Sequence, residues 1–439
     1  MSQQGIVNLS VAYHTLGCKL NFAETSTIAR VLGERGFRVA SAADRPDVVV
    51  VNTCSVTDLA DKKGRQLLRR LHRENPDALI VATGCYAQLK PTEVAAIEGV
   101  DIVVGAEHKM QLADYIDSHL ADRRQQLVEV TPYRDIRTFG PSCARGDRTR
   151  YFLKVQDGCD YWCSYCTIPA ARGRSRSGSI TDLVKQAEAV AAEGGKEIII
   201  TGVNIGEYGR DSGTNLLRLI TELDRVEGVE RFRISSIEPN LLSDDIIEMV
   251  AASRRFMPHF HIPLQCGSDE VLRLMRRRYD TALFAQRVAH IKRVMPDAFI
   301  GVDVIVGMRG ETPELFEQSL RFCAELPISK LHVFPYSERP GTAALAIEPA
   351  VEQREKTRRS HLMLKLSDDK LRSFTARYLG TARPVLWEQP ADGQPMHGFT
   401  DNYLRCVAPC RPELINTITP ARLQAVADEE HTVTAAPEV

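Results

Sequence analysis

Cys159, Cys163 and Cys166 stand with three and then two residues between them. A loop this short brings three soft sulfur ligands onto one inorganic centre. Three thiolates on a four-iron cluster leave one iron open to a non-protein ligand, and an open iron points to catalysis. The structural alternative is a closed zinc knuckle. Such knuckles pair Cys-x2-Cys with a second pair or with histidines, and neither follows nearby.

A second set of cysteines is scattered: Cys18, Cys54 and Cys85, with 35 and 30 residues between them. Apolar runs at Val11 to Leu16, Asp47 to Asn52, Ala78 to Thr83 and Asp101 to Gly105 read as strands, alternating with helical periodicity at residues 22–35, 61–73, 91–97 and 109–120. Strict β-α alternation predicts a parallel sheet covered by helices. Each of the three cysteines falls just past a strand, so all three are expected at the carboxyl edge, where open α/β sheets bind ligands. Taken singly, each could be a small core residue. Three at equivalent strand ends point to a second cluster site.

Residues 121–147 break the pattern with polar, Pro, Gly and Arg content and read as a linker, in which Cys143 is an incidental thiol. A second series follows, with strands expected at 152–156, 197–202, 232–236, 260–264, 299–306 and 330–334. Six strands each followed by a helix predict a partial (β/α) barrel, with the Cys159 loop on its carboxyl-end face, where such barrels place their chemistry. A long charged helix is expected at 351–378. Short strands separated by Gly, Pro and Asp turns then predict a small β-barrel, with a frayed end from Glu429 to Val439.

Lys and Arg number 56 against 57 Asp and Glu, so any nucleic-acid surface must be a local patch. Arg172, Arg174 and Arg176, interleaved with small residues beside the cysteine loop, are candidates to bind RNA phosphates. Tyr161, Trp162 and Tyr165 in the loop are placed to pack on a base or to shield a cluster. Arg276, Arg277 and Arg278 read as a solvated helix face. No run of about 18 apolar residues occurs, and eleven cysteines are too few and too odd in number for a disulfide scaffold. A cytoplasmic protein without membrane or DNA partners is expected.

The Cys159-x3-Cys163-x2-Cys166 loop resembles the cluster motif of the radical S-adenosylmethionine (SAM) superfamily. With the N-terminal trio and a C-terminal barrel similar to the TRAM module, the chain resembles the methylthiotransferases over nearly its whole length. The segments Thr15 to Asn21, Asn52 to Thr57 and Thr201 to Gly209 are most similar to the branch that acts on threonylcarbamoyladenosine in tRNA. The resemblance implies an α/β fold in three parts: an N-terminal parallel-sheet domain over 8–120, a radical SAM core over 148–377 and a TRAM-like barrel over 378–435.

It implies two 4Fe-4S clusters and SAM. Cys159, Cys163 and Cys166 would hold the cluster whose open iron binds SAM, giving a 5′-deoxyadenosyl radical that takes hydrogen from C2 of the adenine. Cys18, Cys54 and Cys85 would hold an auxiliary cluster for sulfur delivery, with a second SAM as methyl donor. Glu197 matches the position that contacts the SAM amino group, and Gln265 and Asp303 are further SAM-pocket candidates. The implied partners are tRNA and an electron donor. Two departures from the family pattern lie near that pocket: Cys266 in place of a serine, a candidate near-site thiol, and Met308-Arg309-Gly310 in place of Phe-Pro-Gly. The alternatives are the same chemistry on isopentenyladenosine or on a ribosomal-protein aspartate, or a non-catalytic cluster protein that binds RNA.

Overall fold

The computed structural model describes residues 9–122, 125–144, 149–428 and 430–438. The expected domain limits at 8, 147 and 148 lie outside these residues, as do Glu429 and Val439.

The first domain is a six-stranded, wholly parallel sheet in the order Arg38–Val39, Ser10–Thr15, Val48–Thr53, Leu79–Gly84, Val100–Val104, Leu127–Glu129. Every residue of Val48–Thr53 and Leu79–Gly84 is buried. Helices cover both faces, which is why these strands are apolar runs rather than alternating patterns. The expected linker is not one. Leu127–Glu129 is the sixth strand, and Ser142–Cys143 pairs antiparallel with Arg150–Lys154 of the next domain. Strands of three and two residues are too short to leave a periodic signature. Cys143 is buried in this pairing, its backbone N–H donating to Thr27 Oγ1.

The second domain places six parallel strands side by side: Arg150–Lys154, Glu197–Thr201, Arg231–Ile234, His259–Gln265, Phe299–Val306 and Lys330–Pro335. The third and fourth meet only through single bridges, Phe232 to Phe256 and Ser236 to His261. The first and last do not pair, so the barrel is open on one side. The helix Gln353–Ala376 leads to a closed barrel of Ala382–Trp387, Met396–Thr400, Arg405–Ala408, Ile418–Val426 and Val433–Pro437. The frayed end expected after 428 is instead the closing strand. Val433–Pro437 pairs with two neighbours at once, a long-range gain that its local composition does not signal.

Two ionic joints hold the parts together. At the amino ends of the core strands, Arg231 donates to Phe399 O (3.0 Å) and Pro384 O (2.9 Å), and Arg233 donates to Asp401 O and Thr400 O (both 2.8 Å). Near the carboxyl ends, Glu24 of the first domain meets Lys154 and Arg172 of the second together with its own Lys109. Asp157 pairs with Lys154, Arg172 and Arg176 in the same buried cluster.

Burial opposes ionisation of Glu24, but Arg172, Lys109 and Lys154 overcome it and hold its carboxyl well below the usual range. Asp157 is depressed in the same way. A carboxylate lowered by folding stabilises the native state above the unfolded value of about 4 and ceases to do so as pH falls through the folded value. Glu24→Ala leaves Lys109 without its partner and Lys154 and Arg172 with Asp157 alone, and should destabilise the protein by about 3–5 kcal/mol in urea unfolding at pH 7. In the wild-type protein the same loosening should set in below about pH 4.

Candidate active site

The cysteine loop leaves the first core strand at its carboxyl end and is turned by Trp162 in the left-handed region (φ 51°). The backbone N–H of Cys166 then donates to Cys163 O at 3.1 Å. Each sulfur has its own donor: Asn204 Nδ2 to Cys159 Sγ (3.9 Å), Arg277 Nη1 to Cys163 Sγ (3.1 Å) and Ile168 N–H to Cys166 Sγ (3.4 Å). Arg277 is itself bonded to Glu238. Burial pushes all three thiols up, Cys166 to about 12, and the sulfurs repel one another as thiolates. Three sulfurs supplied with donors, beside a buried Asn204 Oδ1 that has no partner, fit a cysteine-ligated cluster with a further polar ligand next to it.

The scattered trio converges as expected. Cys18 caps the helix Lys19–Glu34, Cys54 follows its strand, and Cys85 opens the helix Cys85–Leu89. Gly17 (φ 104°) passes so close that a Cβ there would lie 2.9 Å from Cys54 Sγ. Burial raises Cys54 to about 11, with Cys85 and Cys18 adding repulsion. The helix Ile168–Arg172, which follows the radical-type loop, packs on Cys85–Leu89, so the two trios lie on facing domain edges.

The arginines are redistributed. Arg172 is 3% exposed and donates to Glu24, Asp157 and Asn21. Arg176 is also buried, donating to the carbonyls of Thr138, Arg172 and Arg174. Neither can meet RNA; both anchor domains. Arg174 alone stays exposed. It borders a groove of about 800 Å³ with Arg134, Arg137, Tyr133 and Trp162, which is 45% exposed. Arg134 and Arg137 lie in the expected linker, and the Pro132-Tyr133-Arg134 sequence is the only local sign of them. Arg276 to Arg278 are not a helix face: the helix Asp269–Leu274 has ended, Arg276 has φ 58°, and Arg277 is buried against Cys163.

Glu197 is at the amino end of its strand, opposite to the cysteine loop, fully buried and bonded to Arg233 Nε at 3.0 Å. It serves the joint to the C-terminal barrel, not a SAM pocket. Two carboxylates stand beside the loop: Glu207, which accepts from the Asp160 backbone N–H at 3.0 Å, and Glu238, which is bonded to Arg277. Gln265 ends its strand at a bulge with φ 66°. Asp303 accepts from or shares a proton with His261 Nε2 at 2.7 Å, and their ligand atoms and that of His332 lie within 4.8 Å of one another. Cys266 is wholly buried, in one apolar cluster with Met308, and burial pushes its thiol up. The two departures from the family pattern thus pack together, and Cys266 is inert rather than reactive.

An open six-stranded barrel with a three-cysteine loop at its carboxyl face defines a radical SAM protein. Residues 153–323 match the radical SAM superfamily, and residues 10–105 match the uncharacterized protein family UPF0004. A radical SAM methyltransferase, TsrM from Kitasatospora setae, shares the fold with a TM-score of 0.58 at 16% identity, over 77% of each chain. The chain is 40% identical to the threonylcarbamoyladenosine tRNA methylthiotransferase MtaB of Bacillus subtilis (strain 168), covering 94% of this chain and 93% of that one. It is 37% identical to MtaB of Aquifex aeolicus (strain VF5), over 85% and 91%. Identity is 28% to a tRNA-2-methylthio-N(6)-dimethylallyladenosine synthase of Thermodesulfovibrio yellowstonii, over 90% and 91%. The chain belongs to the radical SAM methylthiotransferase family.

A hydrogen bond and a positive charge at a cluster sulfur both raise the reduction potential. With a cluster held by Cys159, Cys163 and Cys166, Arg277→Gln should therefore lower its potential, read by an EPR-monitored redox titration.

Proposed function

We propose that this enzyme methylthiolates C2 of N6-threonylcarbamoyladenosine next to the anticodon of tRNA. The observation that carries it is the pair of cysteine trios facing each other across packed helices, one on each catalytic domain. The nucleoside follows the relatives: 40% and 37% identity to threonylcarbamoyladenosine methylthiotransferases against 30% and 28% to dimethylallyladenosine synthases.

Cys159, Cys163 and Cys166 hold a 4Fe-4S cluster, and Cys18, Cys54 and Cys85 a second. Bound with SAM, the first supplies the 5′-deoxyadenosyl radical for C2 hydrogen abstraction; the second serves sulfur delivery. Arg277 and Glu238 present a guanidinium and a carboxylate beside Cys163, complementary to the carboxylate and ammonium of SAM. Asn204 offers its unpartnered amide oxygen to the same ligand. Gln265, at the carboxyl end of its strand, and Asp303 contribute to the same SAM pocket. The exposed groove of Arg134, Arg137, Arg174 and Trp162 takes the tRNA backbone and a neighbouring base. Electrons come from an external donor. Among the described residues no helix is long and apolar enough to cross a membrane. We place the enzyme in the cytoplasm, with its tRNA.

In the reconstituted enzyme, Cys163→Ala should abolish 5′-deoxyadenosine formation. Cys54→Ala should keep that cleavage and lose the methylthio product; full product from Cys54→Ala would sink the second-cluster assignment. Replacing Arg134, Arg137 and Arg174 together by Ala should reduce the slope of log K against log salt for tRNA binding by about 2. An unchanged slope would show that the RNA lies elsewhere.

A further inference from the structure

The open side of the core barrel faces the C-terminal barrel across a chamber of about 1070 Å³. Three domains contribute to its wall: Lys19 from the first, His259, His261, Asp303 and His332 from adjacent core strands, and Tyr403 from the last. The chamber runs along the core strands from their amino ends, where His259, Phe299 and Lys330 are the first residues, to Asp303. Ser236 Oγ is 3.1 Å from His261 Nδ1, and two residues further on Glu238 bonds the arginine that donates to Cys163. Lys19 directly follows Cys18, so one wall group is tied by the backbone to the second trio.

The wall carries the cations Lys19, Lys330, Lys365 and Arg405 and the carboxylates Asp303, Asp368 and Glu430; Glu430 pairs with Arg405, and Asp368 lies 3.4 Å from His431. Neither Lys19 nor Lys330 has an ion-pair partner among the described residues, and the Asp303 carboxylate is taken up by His261 at 2.7 Å. Burial and the neighbouring His261, Lys330 and Lys19 push His332 down to about 4, so it is neutral at pH 7. Although burial opposes it, Lys19, Arg150 and Arg233 draw the Tyr403 phenol below its ordinary value. An anion is the missing complement.

The shape is equally specific. His259 is 7% exposed, its ring 5.8 Å from Phe299 and 4.1 Å from Tyr403 between centroids, and its Nδ1 has no partner. A buried polar atom without a partner is destabilising unless a ligand supplies one. A cation, an unpartnered imidazole nitrogen and aromatic rings together suit a carboxylate carried near a planar base.

N6-threonylcarbamoyladenosine has one charged group on its base substituent, the threonyl carboxylate, whereas dimethylallyl and unmodified adenosine have none. We propose that Lys19 is the specificity-determining residue that reads this carboxylate, with His259 hydrogen-bonding the same substituent. An apolar substituent would leave both groups unpaired, which is how a site rejects the analogue that lacks a polar group. This rests on the substrate reading given above.

The test uses the anaerobically reconstituted full chain and three anticodon stem-loop RNAs, carrying threonylcarbamoyladenosine, dimethylallyladenosine or adenosine. The ratio of Kd values between RNAs is independent of the fraction of protein loaded with clusters, so damage near Cys18 does not confound it. The wild-type protein should prefer the threonylcarbamoyl RNA. Lys19→Gln should lower that preference at least tenfold, and Lys19→Arg should restore most of it. A wild-type preference that survives in Lys19→Gln overturns the role of Lys19 alone. A wild-type protein with no preference overturns the substrate reading and this inference with it.

Discussion

Arg172 is the constraint on which the arrangement depends. Its guanidinium is buried between two domains, bonded to Glu24 and Asn21 on one side and to Asp157 on the other. It lies six residues past Cys166, on the helix that packs against Cys85–Leu89, and its charge acts on Cys18 and Cys85. One side chain therefore both ties the two domains together and places a positive charge near Cys18 and Cys85. The buried cluster carries four cations, Lys109, Lys154, Arg172 and Arg176, against two carboxylates, Glu24 and Asp157. Charge buried in excess calls for a counter-charge, and the sulfurs of Cys18 and Cys85 lie within its reach.

The opposite ends of the same strands show why the chemistry has a single face. Arg231, Arg233 and Glu197 occupy the amino ends, fully engaged in holding the C-terminal barrel. The carboxyl ends carry the cysteine loop, Asn204 and Glu238. Docking at one edge and reaction at the other also position the small barrel beside the open flank of the core, so that Tyr403 closes a chamber that neither domain forms alone.

Much of this was legible in the chain. The strand Phe299–Val306 has the limits its periodicity predicts, and Cys18, Cys54 and Cys85 each lie just past the carboxyl end of a strand. Short edge strands such as Ser142–Cys143 and Val433–Pro437 were not legible, because their pairing partners, not their own residues, make them strands. Arg277 was misjudged for the same reason: a run of three arginines has a solvated face by default, and only Cys163 and Glu238, distant in sequence, reverse it.

The sequence by itself determined where the cysteines stand. Cysteine spacing and β-α alternation are local, periodic signals, and a parallel sheet brings every strand's carboxyl end to one edge whatever the loops do. Only the tertiary structure decided the fate of the charges. Whether an arginine meets RNA or a buried carboxylate depends on partners such as Glu24, 148 residues from Arg172, and on burial that no local pattern encodes. That is why Arg172 became a joint between domains, Arg176 a buried partner of Asp157 and Glu197 the support of Arg233, while Lys19 on the chamber wall has no ion-pair partner among the described residues.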